Sequence, residues 1–90
     1  MISLTQGSLD KLEAIFGDLG YKLRYEKGSF RTGACVLQNS KVVVVNKFST
    51  VDMKVVSLLQ ILETMEVDED LIQDKLKPFY QNIKKTKISI

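Results

Sequence analysis

The residue types that perform most protein chemistry are scarce in this 90-residue chain, which has no histidine and a single cysteine, Cys35. Histidine is the usual general base and a frequent zinc ligand near neutral pH, so its absence removes the common catalytic pairs and metal sites. A cysteine without a histidine lacks the group that would activate its thiolate, and we interpret Cys35 as a packed or inert strand residue. The sequence therefore predicts a protein that is not an enzyme and that binds no metal or other cofactor.

The acidic run 68–70 (Asp-Glu-Asp) is the next candidate for chemistry, because carboxylates bind calcium. It lacks the glycine at the sixth position and the glutamate at the twelfth that a calcium-binding loop needs, so we interpret these acids as the start of a helix. An enzyme that used acids alone would need two converging carboxylates, and the sequence places no such pair. The glycines are too scattered to form a phosphate-binding loop; they stand at positions 7, 17, 20, 28 and 33.

Charge is segregated along the C-terminal third of the chain, although the net charge is only +2, from 13 basic and 11 acidic residues. Six acids and no basic residue lie in 63–74, whereas five lysines and no acid lie in 75–87. Two interpretations stay open. Acids at the start and lysines at the end of one solvated helix would complement the helix dipole, or the two groups would form a docking surface.

The lysine-rich end holds the candidate contacts for a nucleic acid or a partner protein, which are Tyr80, Lys84, Lys85 and Lys87. Lysines contact phosphates, and an aromatic ring stacks on a base. No second aromatic platform is evident, and a net charge of +2 is weak for a nucleic-acid-binding protein. The sequence therefore favours a protein partner over nucleic acid.

The first two-thirds of the chain predict a helix followed by three strands. The helix has Ser8 as its predicted N-cap, or begins earlier, as the apolar Leu4 indicates, and it ends at Gly20, with Tyr21 reaching back to Phe16. Three strands follow, which we place at 21–25, 30–37 and 42–45, and polar and apolar residues alternate in the first of them. The third strand is apolar on both faces, so we expect it inside the sheet and covered on both sides.

The second helix is predicted to begin at Ser49 or Thr50 and to be the central core helix, because its apolar stripe leaves little of its surface polar. Leu58 and Leu62 share that stripe and are predicted core residues. The alternating tail 87–90 is interpreted either as a strand that pairs with a sheet edge, in the same chain or a partner, or as a frayed end.

A third helix is predicted to start at Asp68, and its apolar phase continues through Pro78. Either one helix kinks there or a new helix begins with this proline. The elements together predict one α+β domain over residues 1–90, with the order α-β-β-β-α-α and a three-stranded antiparallel sheet packed by helices. In this prediction residues 1–66 form the core, and residues 67–90 form the C-terminal helix and tail.

Part of this pattern resembles a known family. A helix that ends at Gly20, the strand 42–46 ("VVVVN"), Ser49 and the apolar helix 51–65 together resemble the IrrE/ImmA-like zinc metallopeptidase domain. The resemblance covers roughly residues 8–66 and would make that segment a peptidase-like core.

The family's core helix carries a His-Glu-x-x-His motif, in which two histidines bind zinc and the glutamate is the general base. The resemblance places the motif near 59–64, where Gln60, Ile61 and Thr64 stand at its three defining positions. It therefore implies a scaffold that has lost its metal site.

These observations predict a non-catalytic protein-interaction domain on a metal-free metallopeptidase-like scaffold. The alternative is a nucleic-acid-binding or regulatory module that uses the lysine-rich C-terminal segment. The expected partner is protein, including a second copy of the chain in a homodimer. Because the N-terminus does not read as a signal peptide, no apolar run approaches the roughly 18 residues that span a bilayer, and a single cysteine fits a reducing compartment, we expect a cytoplasmic protein without membrane association.

Overall fold

The computed structural model describes residues 3–27 and 40–85 in full and the backbone of residues 34–37. Within these ranges helices and strands are mixed, and two short 3₁₀ turns separate the last two helices. In chain order the elements are α1 (Gln6–Asp18), β1 (Lys22–Glu26), β2 (Ala34–Leu37), β3 (Val42–Asn46), α2 (Val51–Thr64), the 3₁₀ turns Glu69–Leu71 and Asp74–Leu76, and α3 (Lys77–Lys85).

Helix α1 begins before Ser8, as the alternative based on Leu4 indicated, and its N-cap lies three residues earlier. The Thr5 hydroxyl accepts a hydrogen bond from the Ser8 backbone N–H at 3.3 Å, so Thr5 is the N-cap. Ser8 lies inside the first turn and is buried, and its predicted role as the cap is wrong. Threonine and serine are both favourable N-cap residues. Because Ser8 is buried against the core, Thr5 is the residue that caps the helix.

The end of α1 agrees with the expectation from sequence. Gly20 has a φ of +88°, a left-handed conformation that favours glycine, and the helix stops there. The backbone N–H of Tyr21 then donates to the Phe16 carbonyl at 2.9 Å. The two rings meet edge to face, with centroids 6.3 Å apart and planes 78° apart, which fixes the angle at which the chain enters β1.

The sheet is mixed, with the strand order β1-β3-β2, and the predicted antiparallel sheet is wrong. Strand β3 pairs antiparallel with β2 and parallel with β1, with Lys22 opposite Val42 and Glu26 opposite Asn46 in the parallel register. Strand β3 lies between β1 and β2, the two strands that precede it in the chain, and is not an edge strand. A central position satisfies both hydrogen-bonding edges of the most apolar strand, and the pattern of a single strand does not reveal its neighbours.

The two faces of β3 are covered unequally. Val43 and Val45 are fully buried, whereas Val42 and Val44 are half-buried. The strand is therefore interior to the sheet, as expected from its four consecutive valines, but only one of its faces lies in the core. The other face is the partly exposed side of the sheet.

Helices α1 and α2 pack together and supply most of the apolar core. Helix α2 begins after Thr50, whose hydroxyl accepts a hydrogen bond from the Met53 backbone N–H at 3.3 Å. Leu58 and Leu62 are buried, which confirms their prediction as core residues. The buried apolar side chains are Leu9, Leu12, Ile15, Phe16, Leu19, Val43, Val45, Val55, Leu58, Leu59, Leu62, Ile72, Leu76, Tyr80 and Ile83.

The segment after α2 does not form the helix predicted to start at Asp68. The Asp68 carboxylate accepts a hydrogen bond from the Asp70 backbone N–H at 3.1 Å, but the turn that it caps is a single 3₁₀ turn. An α-helix resumes only at Lys77, directly after the 3₁₀ turn Asp74–Leu76, so a new helix begins next to Pro78, with the proline as its second residue and not its first. The capping residue Asp68 correctly predicted the start of a turn, but a cap does not show whether the turn continues as an α-helix. The predicted pairing of the tail 87–90 lies outside the described residues.

A polar contact ties this C-terminal segment to the end of α1. The Asp18 carboxylate accepts a hydrogen bond from the Gln73 backbone N–H at 3.0 Å and another from the Gln73 side-chain amide at 3.1 Å. Ile72, next to Gln73, is buried in the core. The two 3₁₀ turns are therefore packed against the domain by an apolar anchor and a charge-assisted hydrogen bond.

The substitution Leu58→Ala should lower the free energy of unfolding by about 2–5 kcal/mol, because it removes a fully buried side chain and leaves a cavity in the core. Leu4→Ala is the matched control, since this leucine is 43% exposed and its loss should change stability by no more than about 0.5 kcal/mol. Urea unfolding of the two variants beside the wild type measures the difference. An unchanged midpoint for Leu58→Ala would show that α2 packs by another face.

Candidate partner-binding surface

The three positions that the resemblance assigns to the zinc motif differ in burial along α2, and Ile61 packs partly against the core. Gln60 and Thr64 are one helical turn apart, and both are exposed. Ile61 is half-buried, and its carbonyl accepts a hydrogen bond from the Thr64 hydroxyl at 2.8 Å. In the part of the chain that the structure describes, no group of three or more cysteine, aspartate or glutamate side chains is placed to hold a metal ion.

The structure brings together two of the four candidate contacts near the C-terminus. Tyr80 is buried, and the Lys84 ammonium lies 5.9 Å from the centre of its ring. Lys84 also forms an ion pair with Glu69 at 3.2 Å. Lys85 is exposed, and Lys87 lies outside the described residues. Burial raises the pKa of the Tyr80 hydroxyl above its usual range. Tyr80 and Lys84 are thus engaged with their own domain, and a role for the four as contacts stays a prediction.

The acidic segment 63–74 does not form the start of a single helix whose dipole its negative charges would complement. Glu63 lies in the last turn of α2, where a negative charge opposes the helix dipole. Lysines of the C-terminal segment neutralise two of the acids, through the pairs Lys84–Glu69 and Lys77–Asp74, each at 3.2 Å. The other acids of this segment form no ion pair with any residue that the structure describes; they are Glu63, Glu66, Asp68 and Asp70.

Tyr25, on edge strand β1, joins three elements at one corner of the domain. Its hydroxyl donates a hydrogen bond to Glu13 of α1, and the Lys54 ammonium of α2 lies 5.5 Å from the centre of its ring. Burial, the hydrogen bond to Glu13 and the negative charges of Glu13 and Asp10 raise the pKa of Tyr25 well above its usual range. Glu13 and Lys54 lie outside the apolar stripes of their helices, so the periodicity of the sequence did not identify these contacts.

Large apolar side chains are exposed at the same corner. Phe48 is 68% exposed and Met53 is 46% exposed, and Tyr25 is exposed over 39% of its surface. Lys47 lies 5.4 Å from the centre of the Phe48 ring. We call the set formed by Tyr25, Lys47, Phe48, Met53 and Lys54 the basic apolar patch.

The elements of the sheet position this patch. Strands β1 and β3 run parallel, so both end at this corner, and the chain then turns from β3 into α2. The Asn46 carboxamide oxygen accepts a hydrogen bond from the Phe48 backbone N–H at 3.1 Å, which holds the turn. A tight turn of this kind leaves Phe48 pointing away from the core. The sequence signal for Phe48 was a large apolar residue in a turn beside a helix cap. The periodicity of the helices and strands does not detect a residue in such a position.

No protein-family model, curated protein or solved structure matches this chain. Among the residues that the structure describes, no helix combines the length and the apolar character needed to cross a membrane. The function must therefore be argued from the surface itself.

The substitution Glu13→Gln should lower the pKa of Tyr25 toward its usual value of about 10, because the neutral amide no longer repels the phenolate. Alkaline titration followed by tyrosinate absorbance measures the change, and Tyr25→Phe identifies which transition belongs to this residue. Since the pKa of Tyr25 is raised by folding, its contribution to stability is present below about pH 10 and is lost as the pH rises through the folded-state pKa. An identical titration in wild type and Glu13→Gln would contradict this contact.

Proposed function

We propose that this domain is a non-catalytic protein-interaction module, built on a metallopeptidase-like scaffold that lacks the zinc motif. The observation that carries the proposal is the basic apolar patch, in which Phe48 is the most exposed apolar side chain. Aromatic residues and methionine are enriched where proteins bind one another, and exposed apolar clusters rimmed by polar groups mark such sites.

The energetics favour a protein partner for this patch. Burying a phenylalanine or methionine side chain in an interface contributes about 1.5–3 kcal/mol, and a few such anchors dominate most interfaces. Lys47 and Lys54 add positive charge at the rim, which speeds and orients the approach of an acidic surface. An exposed Phe48 has no comparable use in the isolated domain, since the turn that carries it is already held by Asn46.

The peptidase-like part of the proposal is supported by α2. The resemblance assigns Gln60 and Thr64 to the two histidine positions, and both are exposed one helical turn apart, which is the spacing that two zinc-binding histidines would need. Neutral amide and hydroxyl groups are weak zinc ligands, and the chain has no histidine with which to replace them.

Protein purified without chelator or histidine tag should contain no stoichiometric transition metal, because the residues at positions 60, 61 and 64 cannot form a zinc site. Elemental analysis by mass spectrometry, with a known zinc protein purified in parallel as a positive control, measures the content. Zinc near one atom per chain would refute the metal-free scaffold.

The interaction itself is tested by capture from a lysate of the source cells. Wild-type domain should retain partner protein, and Phe48→Asp should lose most of it, because a carboxylate cannot enter an apolar pocket without a large desolvation cost. Leu4→Asp is the matched control, since Leu4 is also exposed but precedes α1 and is not part of the patch. Thermal unfolding of both variants verifies that they fold.

The same capture experiment distinguishes a protein partner from a nucleic-acid partner. Nucleic acid held by phosphate contacts would be released as salt rises, with a loss of about one log unit of affinity per log unit of salt for each phosphate neutralised. Retention of protein that depends on Phe48 and survives moderate salt supports the proposal. Capture that is indifferent to Phe48 but is lost in salt together with nucleic acid would overturn it in favour of the lysine-rich segment.

A further inference from the structure

The two large apolar side chains with the greatest exposure among the described residues lie in surroundings of opposite charge. Phe48, at 68%, follows Lys47 in the basic apolar patch. Leu71, at 54%, ends the 3₁₀ turn Glu69–Leu71 in the acidic segment. An exposed apolar group in a basic surface and another in an acidic surface form a complementary pair within one sequence.

The acidic member of the pair is a small, ordered feature. Asp68 caps the turn, and the Lys84–Glu69 ion pair attaches it to α3. This leaves Glu66, Asp68 and Asp70 as carboxylates without an ion pair to any described residue, beside the exposed Leu71. We call these four residues the acidic turn.

The basic member lies in a region of opposite charge. From position 21 to position 54 the sequence has seven basic residues and two acids, one of which, Glu26, already pairs with Arg24 at 3.4 Å. From position 55 to position 74 it has six acids and no basic residue. At the patch itself, Lys47 and Lys54 outnumber one neighbouring acid, Asp52 in the first turn of α2, whereas Glu66, Asp68 and Asp70 of the acidic turn form no ion pair with any described residue.

Within one chain the two surfaces are separated by α2. This helix has 14 residues and is about 21 Å long, with the basic apolar patch at its first turn and the acidic turn beyond its last. The positive end of the helix dipole lies next to Lys47 and Lys54, and the negative end lies next to Glu63. The dipole therefore adds to the charge separation instead of offsetting it.

We propose that the basic apolar patch binds the acidic turn of a second copy of this chain, so that two chains form a closed homodimer. In a two-fold interface, if Phe48 of one chain contacts Leu71 of the other, the reverse contact forms at the same time. A stable interface needs about 800 Å² from each partner, which two equivalent contacts provide more readily than one. This inference rests on the proposed function, because it uses the same patch.

Sedimentation velocity at micromolar concentration should show a wild-type dimer that dissociates on dilution. Phe48→Asp and Leu71→Asp should each raise the dissociation constant about tenfold or more, as loss of an interface anchor does. Leu4→Asp should leave the dimer unchanged, because this exposed leucine belongs to neither surface. Urea unfolding of each variant shows whether the domain itself remains folded.

A charge exchange tests the pairing directly. Lys47→Glu and Asp70→Lys should each weaken the dimer, because each places like charges in contact, and the double variant should restore it. Neither substitution removes a backbone hydrogen bond: Asp70 and Lys47 each donate through the backbone N–H, to the Asp68 carboxylate and the Glu26 carbonyl, and the Lys47 ammonium lies over the Phe48 ring. Failure of the double variant to recover the dimer would overturn the proposed contact, as would wild-type assemblies larger than two chains.

The outcomes also separate this inference from the proposed function. A monomeric wild-type protein that still captures a different protein through Phe48 would overturn the homodimer and leave the interaction module intact. If Phe48→Asp changed neither sedimentation nor capture, both would fail.

Discussion

The burial of β3 between β1 and β2 is the constraint on which the rest of this structure depends. Val43 and Val45 supply fully buried side chains to the core, while the strand's backbone is paired on both sides. A strand so apolar is most stable where neither of its edges meets water. In this arrangement β1 runs parallel to β3, which brings the ends of both strands to the same corner as the start of α2.

The candidate surface is a consequence of that parallel pairing. Tyr25 ends up beside the chain that leaves β3, and α2 then places Lys54 over its ring. An antiparallel β1–β3 pair would carry Tyr25 to the opposite end of β3, away from Phe48 and Met53. The polar contact between Tyr25 and Glu13 of α1 completes the corner. One strand placement thus assembles residues from three elements into a single surface.

Helix α2 has two roles that result from its composition. One side packs Val55, Leu58 and Leu62 into the core, and the other exposes Gln60 and Thr64. Its ends join segments of opposite charge, and its rigid length keeps those segments apart. The basic apolar patch and the acidic turn therefore do not contact each other within one chain, but they can do so between two chains. The charge distribution of the domain is in this way linked to the interaction that we propose for it.

The sequence by itself determined the features that depend on neighbouring residues. The apolar stripes of α1 and α2, the helix end at Gly20, and the burial of Leu58 and Leu62 result from a 3.6-residue period and from local capping chemistry. The cap at Thr5 and the single turn at Asp68 were near misses of the same kind, because several competent caps lie close together and a cap does not fix the length of the helix that it starts.

Only the tertiary structure decided which strands are neighbours and which side chains stay in water. Strand order depends on contacts between residues far apart in the chain, and one strand's alternation is the same whether its partner runs parallel or antiparallel. The exposure of Phe48 and the Glu13–Tyr25–Lys54 contacts likewise depend on how separate elements pack, and periodicity within each element has no information about the others.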